Sequence, residues 1–244
     1  MHRTFISMTW TTGVDEEDAQ VMIRTIEDIY NLLRRQFGKP GQFDPLPTVR
    51  VFGSWTIPSL PQDSAYANMG WYVTSSLDPI QHRIIGSRFM DTVIKEPWQT
   101  TSPHFDMAMT ELDVEDDLGV GREQPSLPAE PRALGVGRPG LFSLISTHPF
   151  DEIDSPDLRK LALRHMIAHY FGLLMGIPSP RRVDDVLLYK GRRYCSNTCA
   201  MRYTDTTTLA LSFAQQEQAS GAMYCEACQH DLGSQVAGFH FGMN

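Results

Sequence analysis

Four cysteines form two short-spaced pairs, Cys195-Ser-Asn-Thr-Cys199 and Cys225-Glu-Ala-Cys228, in a chain of 244 residues. Each pair lets two thiolates reach one ion without strain, and together they supply the tetrahedral sulfur shell that structural zinc prefers. Four buried free thiols or two reversible disulfides are the competing arrangements. Two paired spacings within one short segment favour the metal. Four thiolates leave no open position, so this zinc is expected to tie the C-terminal segment down rather than to do chemistry, and its committed thiolates are not expected to act as nucleophiles. His230, two residues after Cys228, could replace one cysteine, although the four-cysteine set makes this unnecessary.

A second group with chemical potential precedes the cysteines. His165-Met166-Ile167-Ala168-His169 places two imidazoles at i and i+4, on one face of a helix and close enough to share an ion. Two histidines alone are a weak signal, because such residues on an amphipathic helix are more often ordinary polar or core residues. Gly172 follows three residues after His169, and the first cysteine pair leads directly into Ala200-Met201-Arg202-Tyr203.

In this order, His165, His169, Gly172, Cys195, Cys199, Met201, Cys225 and Cys228, the sequence resembles the archaemetzincin branch of the metzincin peptidases. Metzincins carry H-E-x-x-H-x-x-G-x-x-H followed by a Met-turn. Archaemetzincins add two cysteines around that turn and a C-x-x-C downstream. The resemblance covers roughly residues 134–232 by motif. It implies a metzincin-like twisted mixed sheet packed with helices, with an edge strand at Leu141 to Ser146 over the cleft, and a C-terminal subdomain tied by a four-cysteine zinc site. It also implies where the chemistry is missing. The glutamate that serves as general base after the first histidine is Met166, and the third histidine ligand is Met175. A thioether is a soft ligand poorly suited to zinc. Tyr203, two residues after the Met-turn methionine, stands where some metzincins bring a tyrosine to the metal. Asp184, Asp185 and Asp205 could supply a carboxylate, but nothing in their spacing favours them.

The resemblance therefore implies an archaemetzincin-like protein with one structural zinc and an inactive cleft, acting by binding a peptide or protein partner. His165 and His169 could still hold a second ion, while Met166, Met175 and Tyr203 are vestigial positions. The alternatives are an active zinc metallopeptidase with non-standard ligands and a subunit of a larger assembly.

The elements that must position these residues are legible in part. Thr4 to Trp10 reads as a strand. Asp15-Glu16-Glu17-Asp18 opens a helix whose apolar residues Val21, Ile26, Ile29 and Leu33 recur at helical spacing to Phe37-Gly38. Val49 to Trp55 reads as a strand, Asp78 to Lys95 as a helix and Phe105 to Leu112 as a buried strand. Asp113 to Arg132 reads as a long exposed loop. Strands at Ala133 to Gly137 and Leu141 to Ser146 are joined at Arg138-Pro139-Gly140. Ser155-Pro156-Asp157 is a capped helix start, and that helix carries both histidines before ending at Gly172 or Gly176. The expected class is α/β, with a subdomain of residues 1–176 ending in the histidine helix and a C-terminal subdomain of residues 177–244 holding the Met-turn and the cysteines.

Composition sets outer bounds. Lys and Arg number 21 against 29 Asp and Glu, a net charge of -8, which offers nucleic acid or an anionic membrane no electrostatic attraction. No apolar run approaches the roughly 20 residues that span a bilayer, and the N-terminus lacks the features of a signal peptide, so a cytoplasmic location is expected. Gly135-x-Gly137-x-x-Gly140 is followed by a strand rather than a helix, which argues against a nucleotide loop. His104 and His148 are expected to be satisfied or on the surface. The basic residues around Arg181, Arg182, Arg192 and Arg193 read as a solvated loop.

Overall fold

A five-stranded mixed sheet lies between two layers of helices. The computed structural model describes Arg3 and residues 5–38, 46–118 and 130–241. Within these, the elements in chain order are β1 (Phe5–Trp10), α1 (Glu16–Phe37), β2 (Thr48–Gly53), α2 (Met69–Ser76), β3 (Leu77–Asp78), β4 (Arg83–Ile85), α3 (Gly86–Ile94), α4 (Pro97–Thr101), β5 (Phe105–Thr110), β6 (Asp113–Asp116), β7 (Glu130–Ala133), β8 (Gly135–Arg138), β9 (Phe142–Ser146), a 3₁₀ turn at His148–Glu152, α5 (Pro156–Leu174), β10 (Val186–Tyr189), β11 (Arg192–Cys195), α6 (Thr207–Ser220) and α7 (Glu226–Phe241). The main sheet runs β2-β1-β5-β9-β8. Its first three pairings are parallel and β8 is antiparallel to β9.

Strand period sorts the sheet's side chains onto two faces. Ile6 and Met8 of β1, Met107 and Met109 of β5 and Ile145 of β9 join one core with α1 and α5. Ala108, Phe142, Leu144 and Val136 join a second core with α2 and α3. A second sheet, β3-β4-β6-β7, packs beside α2 and α3.

Helix α1 follows from its sequence. Carboxylates fill its first turn, Arg34 and Arg35 its last, and Met22, Ile26, Ile29 and Leu33 are buried at helical spacing. Arg159 at the start of α5 pairs with the buried Asp18 of α1, through both terminal guanidinium nitrogens, and Arg164 reaches Asp28 at 3.1 Å. These contacts orient α5 on the sheet. Ser155 caps α5, Pro156 occupies its first turn and its backbone continues through Gly172 to Leu174. Gly176, at φ +78°, is the terminator, because the chain turns there through the left-handed region. From Met166 to Leu174 every residue of α5 is buried. Such a helix is interior rather than amphipathic.

Several expectations are corrected. The segment 78–95 is a strand pair followed by a helix. The isoleucines at 80, 84 and 85 fit a helical period, but Pro79 and the positive φ of His82 break it, and Asp78 Oδ1 accepts from the amide of Ile80 at 2.8 Å to form a turn. The stretch 113–132 contributes β6 and the start of β7, and the remainder of that expected loop, residues 119–129, lies outside the described residues. Leu141 to Ser146 contains β9, which is interior to the sheet. The edge is β8, folded back through Gly140 at φ +75°. The segment after Met175 contains the hairpin β10–β11 and helices α6 and α7. Among the described residues no helix is long and apolar enough to cross a membrane.

Candidate metal centre

The hairpin β10–β11 delivers Cys195 from its second strand, the following turn delivers Cys199, and the start of α7 delivers Cys225 and Cys228. The four ligating atoms lie within 4.8 Å of one another. Cys195 Sγ is 3.6 Å from Cys225 Sγ, and Cys199 Sγ is 3.8 Å from Cys228 Sγ. A tetrahedral zinc with Zn–S bonds near 2.3 Å requires sulfur–sulfur separations of about 3.8 Å. The cluster therefore fits zinc by chemistry and by spacing. Hydrogen bonding to neighbouring cysteines, first of all from Cys199, pulls the Cys195 thiol down to about 7, while Cys199 and Cys228 are pushed up by their bonds to Cys195.

Arg182 completes this centre, although the sequence placed it in a solvated loop. Its guanidinium donates to Cys195 Sγ at 2.9 Å and to Cys228 Sγ at 3.3 Å, and is held from behind by Asp231 at 3.2 Å. Zinc with four thiolates carries a net charge of about -2, so a cation aimed at two of the sulfurs offsets part of that charge. Arg192 is likewise committed, in a two-pronged pair with Asp116.

The segment from Cys199 to Met201 joins the cysteine centre to the histidine helix. The Cys195 amide donates to the Met201 carbonyl at 2.8 Å, and the Ala200 amide donates to the Met223 carbonyl at 2.9 Å. Tyr224, fully buried, donates its hydroxyl to the Ala168 carbonyl on α5 at 2.6 Å. A Cβ added at Gly172 would fall far inside contact distance of Met201 Sδ and press on Ile177, so a side chain there would force Met201 to shift from its seat against α5.

Both histidines of α5 are buried, at 1% and 4% exposure. His165 Nδ1 donates to Glu217 Oε1 on α6 at 2.9 Å. Its Nε2 lies 3.3 Å from Thr204 Oγ1, whose own proton goes to the Arg202 carbonyl at 3.0 Å. His169 Nδ1 donates to the Ala200 carbonyl at 2.7 Å, and its ring stacks on Tyr194 with centroids 6.0 Å apart. Burial pushes the His169 pKa down to about 4, against the raising effect of that carbonyl, so the ring is neutral. Met166 and Met175 are buried in the apolar core. Tyr203 packs on Tyr189 and Tyr194 and donates to Asp205 at 3.1 Å, while Asp184 and Asp185 are exposed. Among the described residues, no third His, Cys, Asp or Glu joins His165 and His169 in a metal-sized cluster. Glu217 and Tyr194 carry no local sequence signal. Their relation to the histidines appears only when α6 and the hairpin fold onto α5.

One further cluster of ligating side chains, Glu96, His104 and Asp106, lies on the opposite face of the sheet. Of the two expectations for His104, satisfied or at the surface, the first holds, since the ring is buried with Ser102, Glu96 and Asp106 around its nitrogens. Burial alone would lower its pKa, and pairing with Asp106 and Glu96 outweighs this and raises it to about 10.

No protein-family model and no curated protein matches the sequence. Among solved structures, the chain is similar to an archaemetzincin from Methanopyrus kandleri, with a TM-score of 0.54 and 12% identity over 96% of each chain. It is similar also to a zinc-dependent peptidase from Methanocorpusculum labreanum (strain Z), with a TM-score of 0.53 and 13% identity, over 93% of this chain and 99% of that one. At such identities the likeness is one of architecture, and the fold of this chain is archaemetzincin-like.

Proposed function

We propose that this chain is a non-catalytic protein on an archaemetzincin-like fold, held together by zinc at its four cysteines, that binds a peptide or protein partner rather than cleaving one. The observation that carries the reading is the setting of the two histidines, buried on α5 with no third ligating side chain beside them among the described residues. His165 faces protein oxygens with both ring nitrogens, and both rings are closed off from solvent. A peptidase zinc needs three protein ligands with an open position for water, and a general base beside it. Here Met166 and Met175 stand at the positions of the base and the third ligand, and each is packed in the core. Positioned acid–base catalysis contributes about 10²- to 10⁴-fold, so its loss alone would leave little activity.

Binding is supported by the hairpin segment that lies between α5 and the first cysteine. Val183 and Leu188 are 83% and 73% exposed, and Leu187 and Tyr189 beside them are also exposed. Exposed apolar side chains concentrated in one short chain segment are what a contact site would use. The direct test is a broad peptide library incubated with the chain in the presence of zinc, cobalt or manganese. The expected result is no cleavage above that of a His165→Gln/His169→Gln variant. Chelator-sensitive cleavage that this variant loses would overturn the reading in favour of a metallopeptidase with unusual ligands.

A further inference from the structure

The side of the sheet facing away from α5 holds a cavity of about 440 Å³ lined by Phe5, Trp55, Tyr72 and Trp98 among others, and by Glu96, His104 and Asp106. These last three come from different elements. Glu96 precedes α4, His104 follows it and Asp106 is on β5. Even-numbered residues of β5 point to this face, whereas Met107 and Met109 point to α5. The cluster is therefore separated from the cysteine centre and from the two histidines by the sheet itself.

Each of the three side chains is anchored at its far atom and directs its near atom to one point. Tyr72 donates its hydroxyl to Glu96 Oε2 at 2.9 Å. Gln99 Nε2 donates to Asp106 Oδ2 at 2.9 Å. His104 Nδ1 donates to the Ser102 carbonyl at 2.8 Å, which leaves Nε2 as the inward nitrogen. His104 Nε2 lies 3.2 Å from Glu96 Oε1 and 3.3 Å from Asp106 Oδ1. Glu96 is 3% exposed, and its Oε1 meets the His104 ring at 3.2 Å without the alignment of a hydrogen bond. A buried carboxylate oxygen left in that state is costly.

The geometry points to a second divalent-cation site formed by Glu96 Oε1, His104 Nε2 and Asp106 Oδ1, opening onto the cavity. Zinc bound tetrahedrally through nitrogen and oxygen at 2.0–2.1 Å sets its ligand atoms about 3.3–3.4 Å apart. The separations of 3.2 and 3.3 Å lie close to that. A divalent ion also neutralises the two carboxylates, gives Glu96 Oε1 a directed bond in place of a misaligned contact and finds the outer hydrogen bonds that orient metal ligands already in place. The cavity supplies the entry path. The mixed imidazole and carboxylate set suits zinc or manganese and differs in kind from the sulfur shell of the cysteine centre.

Metal content per chain, measured after equilibration with zinc or manganese and removal of free ion, tests the site. The unaltered chain is expected to hold one equivalent beyond that of the cysteine centre. Glu96→Gln and Asp106→Asn should each lose that equivalent, and His165→Gln/His169→Gln should keep it. Tyr72→Phe removes only an outer hydrogen bond and should weaken the second equivalent about 10- to 100-fold while leaving the fold intact. Cobalt titration of the unaltered chain should add a spectrum of nitrogen and oxygen coordination to that of the thiolate site. No second equivalent at saturating ion, or one lost with the α5 histidines instead, overturns the proposal. The triad would then be an imidazolium held between two carboxylates.

Discussion

His169 on α5 donates its Nδ1 proton to the carbonyl of Ala200 at 2.7 Å, and Ala200 stands between Cys199 of the cysteine centre and Met201, which packs beside Gly172. The cysteine centre is thereby coupled to a helix whose second half is buried throughout. The same turn carries the Cys195–Met201 backbone bond and the contact of Met201 with Gly172. A metal at the four cysteines orders more than the short loops that bear them.

Zinc removal should therefore be felt along α5. Apparent binding energies of about 10–16 kcal/mol in small zinc domains set the upper scale of what a structural zinc contributes. Chelation, or Cys199→Ser, is expected to lower the thermal midpoint and to speed amide exchange in the second half of α5 more than in α1. Equal loss of protection in both helices would show that the coupling through Ala200 is absent.

Arg182 should prove a zinc residue without touching zinc. Its hydrogen bonds to Cys195 and Cys228 are the kind of outer contact whose loss weakens metal affinity about 10- to 100-fold. Arg182→Met is expected to shift zinc competition against a chelating dye by that factor. Arg182→Lys should restore little of it, because one ammonium does not reproduce the fork that spans two sulfurs. An unchanged affinity in Arg182→Met would assign the arginine to packing alone.

Gly172→Ala tests the seat of the Met-turn. The added methyl group meets Met201 Sδ in a closed core, and overpacking of this kind costs about 1–3 kcal/mol. Met201→Ala should also destabilise. The double variant is expected to be less destabilised than the sum, because the smaller side chain makes room for the methyl. Additive losses in denaturant titrations would contradict the contact.

Acid should weaken the fold through His169. Its pKa is held down to about 4 in the folded chain against an ordinary value near 6.5 when unfolded. Between those values the unfolded state binds the proton and the folded state does not. The stability that the neutral ring contributes is thus complete above the ordinary value and is lost as pH falls towards the folded one. The interval corresponds to about 3 kcal/mol. Urea unfolding across this window should show that slope, and His169→Gln should flatten it. A slope untouched by the substitution would assign the acid sensitivity to other groups.

The parts of this structure legible in the sequence are those whose physics is local. Helices α1 and α5 announce themselves through caps, dipole-matched charges and spacing, and the two cysteine pairs through their separations. Segment 78–95 misleads because isoleucines at helical spacing also suit a strand pair, and only Pro79 warns of the turn. Helix α2, Met-Gly-Trp-Tyr-Val-Thr-Ser-Ser, has no charge pattern to mark it and forms by packing against α3. What the sequence could not reveal is convergence. Glu217 meets His165 across 52 residues, and Arg182 leaves an apparently polar loop to reach two sulfurs. His104, unremarkable beside its proline, lies between two carboxylates only once β5 is in the sheet.

Zinc content of the His165→Gln/His169→Gln variant, compared with the unaltered chain and with Cys199→Ser, tests most directly whether the metal of this protein holds the fold rather than serving a peptidase centre. The expected result is that the histidine variant retains all the zinc of the unaltered chain, while Cys199→Ser loses one equivalent. Loss of an equivalent from a folded histidine variant would contradict the account and place a metal on α5.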